Sequence, residues 1–285
     1  MNVSEDEWGQ MFRAALAGQL VPFLGAGASF SVLLTGAQLV RHLKRDVEYP
    51  DPDETDLARV AQYVQVIKGR EYATEKIIAL LKTSLKEHFH SSPHRDLARL
   101  PVHIYLTTNY DDLMEYELRI AGKEPISLYP IWHKRLEGIA GPSLGNQSIN
   151  EIEPTFERPI VYHLHGHWDV PTSILVTEDD YIQFLSALHN PSLLPDTCRK
   201  ALASDTLVFV GYSLRDSNIR VLLTERGKNR LLSSYAIMLR PENVGLAKFM
   251  EMDLAERGLK VLWGTAHEFT NEFLEFPFRQ KVFTD

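Results

Sequence analysis

The sequence predicts an α/β fold: a mostly parallel sheet with helices on both faces and a helical insertion. Three observations carry that prediction. Short apolar runs alternate with helical patterns along the chain, the mark of strands joined by helical crossovers. One run, Thr206 to Val210, is continuously apolar, as a strand buried on both faces must be. Glycine or polar residues crowd the ends of four runs, where open parallel sheets bind ligands.

In chain order, Asp6 to Ala17 spaces Trp8, Met11, Phe12, Ala15 and Leu16 as one face of a helix. Val21 to Leu24 reads as the first strand. It ends in Gly25-Ala26-Gly27-Ala28-Ser29, with a helical pattern beyond. Thr35 to Arg45 is helical, with Thr35 as cap. From Glu54 to Leu100 the pattern is helical throughout, about three helices with apolar stripes on Leu57, Val60, Ala61 and Val64 and on Ile77, Leu80, Leu81 and Leu85. His103 to Leu106 is a second strand, and a helix starts near Asp112. Leu128 to Ile131 reads as another strand. Gly138 to Glu157 lacks periodicity and reads as a mobile loop.

Ile160 to Leu164 is a strand feeding His165-Gly166-His167, and Ile174 to Val176 is short and extended. Thr177 and Asp180 carry a helix-start pattern. Leu193 to Ala203 is helical, and Thr206 to Val210 runs into Gly211-Tyr212-Ser213-Leu214. Asp216 opens a helix with Ile219, Leu222 and Leu223. Tyr235 to Leu239 and Lys260 to Trp263 read as strands, and Val244 to Glu256 and His267 to Phe276 as helices. We expect one domain over 1–285, with its helical insertion at about 54–100 and the mobile loop at about 138–157.

Composition narrows the classes. Hydrophobic residues at 44% and charged residues at 24% support a full core without staples. A net charge of −8 without a run of Lys or Arg argues against a nucleic-acid groove or an anionic membrane surface. The single cysteine, Cys198, excludes a disulfide framework and a Cys-x-x-Cys zinc module. Met1 to Gly9 is acidic and polar, without a signal-peptide core, and no apolar run approaches the ~18 residues that span a bilayer. The expectation is a soluble cytoplasmic protein.

Four strand ends hold the candidate chemistry. Gly25 and Gly27 permit a tight turn and a close ligand, and the turn's free N–H groups can face an anion. The third glycine of a dinucleotide fingerprint is replaced by Phe30, so an ordinary tight turn stays open. Asp46 or Glu48 stands where that fingerprint wants an acid, although a charged helix end explains both. Asn109 is a neutral donor and acceptor, or a cap; Asp111 and Asp112 are potential caps. His165 reads as a base, a structural residue, or a metal ligand with His163 and Asp169. Gly211-Tyr212-Ser213 lacks the last glycine of a nucleophile elbow, since Arg215 stands there. Arg215 and Asp216 read as cap or pairing residues.

Together these segments resemble the sirtuin family, and more closely its bacterial sirtuin-like branch found in anti-phage defence. Gly25-Ala26-Gly27-Ala28-Ser29 resembles its glycine loop. Thr107-Thr108-Asn109-Tyr110-Asp111 resembles its Thr-Gln-Asn-Ile-Asp segment, Leu164-His165-Gly166 its Leu-His-Gly, and Gly211-Tyr212-Ser213-Leu214 its Gly-Thr-Ser-Leu. The resemblance runs from about Leu20 to Phe273. It implies a Rossmann-like NAD-binding sheet. By position, Gly25, Ala26, Gly27 and Ser29 would hold the diphosphate and nearby ribose, and Asn109 the nicotinamide ribose or a water. Asp111 would face the nicotinamide amide, His165 would act as base, and Gly211 and Ser213 would line the adenosine side.

The chain departs from the deacylase sirtuins. Their four zinc-binding cysteines are missing, and Leu34-Thr35-Gly36-Ala37-Gln38 replaces their Gly-Ile-Pro-x-Phe-Arg. The resemblance therefore implies an NAD+ hydrolase of the defence branch that cleaves the nicotinamide–ribose bond, with NAD+ as substrate and no metal. It also implies a homo-oligomer, and a partner protein such as a nucleic-acid translocase or an Argonaute-type protein. A non-catalytic NAD or ADP-ribose sensor and a deacylase are the alternatives.

Overall fold

The computed structural model describes residues 1–85, 93–130, 132, 152–187, 193–214, 217–225 and 234–281. Helix α1 (Glu5–Leu16) starts at a capping box between Ser4 and Glu7. Strand β1 (Leu20–Leu24) is buried throughout and ends in a single 3-10 turn, Ala26–Ala28. Helix α2 (Gly36–Val47) starts at a second capping box, Thr35 with Gln38. Helices α3 (Leu57–Lys68), α4 (Arg70–Ser84) and α5 (Pro93–Ala98) fill the stretch before β2 (Ile104–Thr107). Then come α6 (Leu113–Ile120), β3 (Ile126–Leu128), β4 (Ile160–His163), α7 (Glu178–Ala187) and α8 (Asp196–Ser204). The last elements are β5 (Thr206–Val210), α9 (Ser217–Glu225), β6 (Ser234–Met238), α10 (Val244–Glu256), β7 (Leu259–Trp263) and α11 (Ala266–Lys281).

Among the described residues seven strands form one sheet in the order β3-β4-β2-β1-β5-β6-β7, and each of their pairings is parallel. From β4 to β7 this is the doubly wound Rossmann order, with β3 added outside β4. The chain leaves β1 toward one edge and returns at β5 toward the other. The switch point, where such sheets open a crevice, therefore lies between β1 and β5. Phe23 of β1 pairs with Leu106 on one side and Phe209 on the other.

Alternate residues of each strand serve opposite faces. Phe23, Leu106, Leu207 and Phe209 enter one core, while Leu24, Tyr105, Val208 and Val210 enter the other. Phe23 and Phe209 stack at 4.7 Å between centroids. On the opposite face Trp8 of α1 stacks on Phe269 and Phe273 of α11. Helices α2 to α4 build a third core from Leu39, Val40, Leu43, Val60, Val64, Ile77 and Leu81, joined by Trp168 and Ile174. The predicted stripes are thus the packing faces of a helical layer beside the strand ends.

Several expectations shift. The strand expected at Leu128 to Ile131 lies earlier, at Ile126–Leu128, where its register with β4 buries Leu128. Ile174 to Val176 is extended, as expected, and buried; it lies outside the sheet because it bonds to a loop and a helix end rather than to a strand. No helix follows the glycine turn at once: the 3-10 turn intervenes and α2 begins only at Gly36. Residues 138–151 of the expected mobile loop lie outside the described residues, as do Arg215 and Asp216; Ile152 is buried. Among the described residues no helix is long and apolar enough to cross a membrane.

The switch point is closed by backbone on backbone. Gly25 N–H donates to Val210 O at 3.0 Å and Gly27 N–H to Gly211 O at 2.8 Å. Gly211 has φ +66, and a Cβ there would lie 2.2 Å from Ala28 N. The substitution Gly211→Ala is therefore expected to cost at least about 1–3 kcal/mol, through a left-handed backbone and a clash with main chain that has no rotamer to yield. A lower urea midpoint at unchanged m-value checks this; a wild-type midpoint contradicts it.

Candidate active site

The four strand ends meet at this switch point. A cavity of about 360 Å³ there is lined by Ala26, Gly27 and Ser29 after β1 and by Asn109 after β2. His165 lines it from the end of β4, and Gly211 and Ser213 from that of β5. Tyr181 of α7 joins them, its ring edge-on to His165 at 5.3 Å. A second cavity of about 660 Å³ shares Gly27, Gly211, Tyr212 and Ser213 and extends over the ends of β6 and β7.

Gly25 and Asp111 stand one layer back. Gly25 is buried against Tyr212, and a Cβ on it would lie 2.4 Å from that ring. The amides of Gly27, Ala28 and Ser29 donate to Gly211, Gly25 and Ala26 carbonyls. This differs from the expected set of free N–H groups: Gly27 spends its donor on the other turn, and Ala28 and Ser29 spend theirs within their own 3-10 turn.

Asn109 is buried and held at three points. Its N–H donates to Thr107 Oγ1 at 3.0 Å, and its Nδ2 donates to Gly25 O at 3.2 Å and Ser29 Oγ at 3.0 Å. A carbonyl can only accept, so the Gly25 contact fixes which end of the amide is nitrogen. The amide oxygen is left to accept from a ligand. Ser29 in turn donates to Asp111 Oδ2 at 3.4 Å, and Asp111 Oδ1 accepts from Leu113 N–H at 3.2 Å. Asp111, rather than Asp112, thus makes the side-chain contact at the start of α6.

His165 is buried, with its ring against Tyr181 and Phe184. Its carbonyl accepts from Leu175 N–H at 2.9 Å. Gly166, at φ +88, lets the chain turn flat against Ser173; a Cβ would lie 2.2 Å from Ser173 O. This packing explains why Ile174 to Val176 is extended without joining the sheet.

His163, His165 and Asp169 do not gather as metal ligands. Asp169 is exposed and pairs with Lys82 at 2.9 Å. Glu115, His163 and His167 instead place donor atoms within 4.8 Å of one another, all buried, and by donor type could hold a divalent ion. His163 Nε2 lies 2.7 Å from Glu115 Oε1, and Nδ1 lies 3.1 Å from Asn109 O. Burial works against charge on both groups, yet their mutual attraction raises the His163 pKa and lowers that of Glu115. Burial and the His163 charge push His167 down to about 4, so it is neutral. Asp46 bonds Tyr72, Lys68 and Lys76, and Glu48 ends α2 at φ +50, so both serve the helix end.

Sequence reasoning missed Tyr181, Glu115 and the bond from His163 to Asn109. No local motif marks them, because each acts across elements far apart in the chain.

Burial pushes the Asp111 carboxyl up to about 6, above the ~4 of an unfolded chain. The folded state therefore holds the extra proton between those values, and stability falls as pH rises through the window and levels above it. Asp111→Asn is expected to lose this dependence, about 3 kcal/mol in size. Urea midpoints of both proteins from pH 4 to 7 check it; parallel curves contradict it.

The sequence model of the SIR2-like domain matches residues 103–262, more than half of the chain. An Enterococcus faecium protein named NAD(+) hydrolase ThsA is 29% identical over 209 residues, 73% of this chain and 40% of its own length. The protein of that name from Cytobacillus dafuensis is 30% identical over 217 residues, 73% of this chain and 39% of its length. The chain thus spans about two fifths of the length of these relatives. With β2, β4 and β5 and the strand ends that carry Asn109, His165 and Gly211 all inside the matched region, the chain belongs to the SIR2-like family.

Proposed function

We propose that this protein is an NAD+ hydrolase that cleaves the nicotinamide–ribose bond. One observation carries the reading: Asn109 and His165 line a single cavity with the two glycine turns of the switch point. The relatives named NAD(+) hydrolase support it. A pure binding module has no use for a buried imidazole beside the reacting ribose, and the chain lacks the cysteines of the deacylase zinc module.

The diphosphate lies along Gly25 to Ser29, and the adenosine half passes over Gly211 and Ser213 toward the larger cavity. Asp111 acts on the nicotinamide end through Ser29. The nicotinamide ribose rests between Asn109 and His165. The Asn109 amide oxygen accepts from the attacking water or a ribose hydroxyl and so sets the line of attack. The water oxygen bonds to C1′ as the C1′–N bond breaks. The bonding pair returns to the pyridine ring, so nicotinamide leaves neutral. The water's proton passes to His165, and ADP-ribose remains.

The family resemblance extends the proposal to anti-phage defence by NAD+ depletion in the cytoplasm. There the protein works as a homo-oligomer, with a partner such as a nucleic-acid translocase or an Argonaute-type protein supplying the trigger.

Asn109→Ala and His165→Ala are each expected to cut nicotinamide release by about 100-fold or more while the protein stays folded. Chromatography of nicotinamide, alongside NAD+ levels in cells with and without phage, checks this. Full activity in either variant, or NAD+ levels in wild-type cells matching those of His165→Ala cells in both conditions, contradicts it.

A further inference from the structure

The chemistry above leaves one buried pair without a task. His163 closes β4 and Glu115 sits in the first turn of α6; both are almost wholly buried. A buried ion pair away from substrate is weak evidence for stability, because desolvation offsets much of the attraction. What distinguishes this pair is where its second hydrogen bond goes. His163 Nδ1 donates to the main-chain oxygen of Asn109 at 3.1 Å, and Nε2 donates to Glu115 Oε1 at 2.7 Å. The Asn109 oxygen only accepts, so the contact requires a proton on Nδ1. Glu115 fixes the ring's orientation from the other side. The Asn109 N–H and side chain are held by Thr107, Gly25 and Ser29. His163 is the group that holds its carbonyl.

We propose that Glu115 and His163 form a positioning relay for Asn109. Glu115 orients the imidazole, and Nδ1–H fixes the peptide after Asn109, so that the side-chain amide stays aimed at the cavity. The inference rests on the hydrolase reading of the site. Neither residue touches substrate. A displacement of about 1 Å in such a group is enough for a 100-fold loss of rate.

Two substitutions separate positioning from mere support. In His163→Asn the amide nitrogen occupies the δ position and can still donate to Asn109 O, but Glu115 is left without its partner. In His163→Gln the amide reaches the ε position, which keeps Glu115 bonded and abandons Asn109. The relay predicts opposite orders: His163→Gln is the more stable in urea, yet its kcat falls about 100-fold with KM for NAD+ within about threefold. His163→Asn keeps kcat within about tenfold. Adding Glu115→Gln to His163→Asn removes the unpaired charge and raises the midpoint without further loss of rate. Activity that follows the midpoints, or a loss confined to KM, overturns the relay. A stoichiometric metal in the wild type that His163→Gln lacks also overturns it, and makes Glu115, His163 and His167 a metal site. Hydrogen exchange of the peptide holding Asn109 judges the relay without turnover: exchange is faster in His163→Gln than in wild type or His163→Asn, and equal rates overturn the relay. A triggered wild type that releases no nicotinamide overturns the hydrolase reading alone, and the exchange result still stands.

Discussion

The site depends on the contact of two turns, backbone against backbone, between the ends of β1 and β5. Gly27 donates to Gly211 O at 2.8 Å, and neither residue has room for a side chain. Parallel strands are 4.7–4.9 Å apart, and ordinary side chains at their ends would splay the following turns. Glycine at these places lets the turns meet, and the two cavities share the ridge they form. Tyr212, buried under Gly25 and against Phe23 and Phe209, ties the ridge to the core of the sheet. The same contact consumes amides that a phosphate-binding turn would otherwise offer, so rigidity is gained at the cost of donors.

From that ridge outward the site is layered. Asn109, His165, Ser29 and Tyr181 face the cavity. Behind them Asp111 holds Ser29, and the Glu115–His163 pair holds the Asn109 carbonyl. The pair is sunk where removing one partner strands a charge, at a cost of about 3–5 kcal/mol. Such an arrangement gives the Asn109 amide one orientation rather than several. Helices α2 to α4 form an outer layer whose apolar faces pack on Trp168 and Ile174, next to the segment that carries His165.

The fold was largely legible in the sequence, for local reasons. Strand β5 is apolar at nearly every position because both faces are covered, and its bounds coincide with those of the apolar run. The capping box at Thr35 and the Thr177–Asp180 start are short-range chemistry that sequence displays directly. Partners set by tertiary contacts are not legible in the same way. Ile174 to Val176 is extended, as its residues predict, but only the structure shows that it bonds to His165 O and Asp180 rather than to a strand. The three-residue strand β3 takes its register from β4. At the site, Asn109 and His165 were visible because each follows a strand beside polar neighbours. Glu115 was not: in sequence it is one acidic residue of an amphipathic helix, and its partner lies 48 residues away.

In the proposed function these strand ends make one pocket that holds NAD+ with its scissile bond between Asn109 and His165. A crystal structure with ADP-ribose tests it most directly. The diphosphate is expected along Gly25 to Ser29, the adenosine over Gly211 and Ser213, and the ribose C1′ beside a water or hydroxyl that hydrogen-bonds to both Asn109 and His165. ADP-ribose bound with C1′ remote from both residues, or no binding at this crevice, contradicts it.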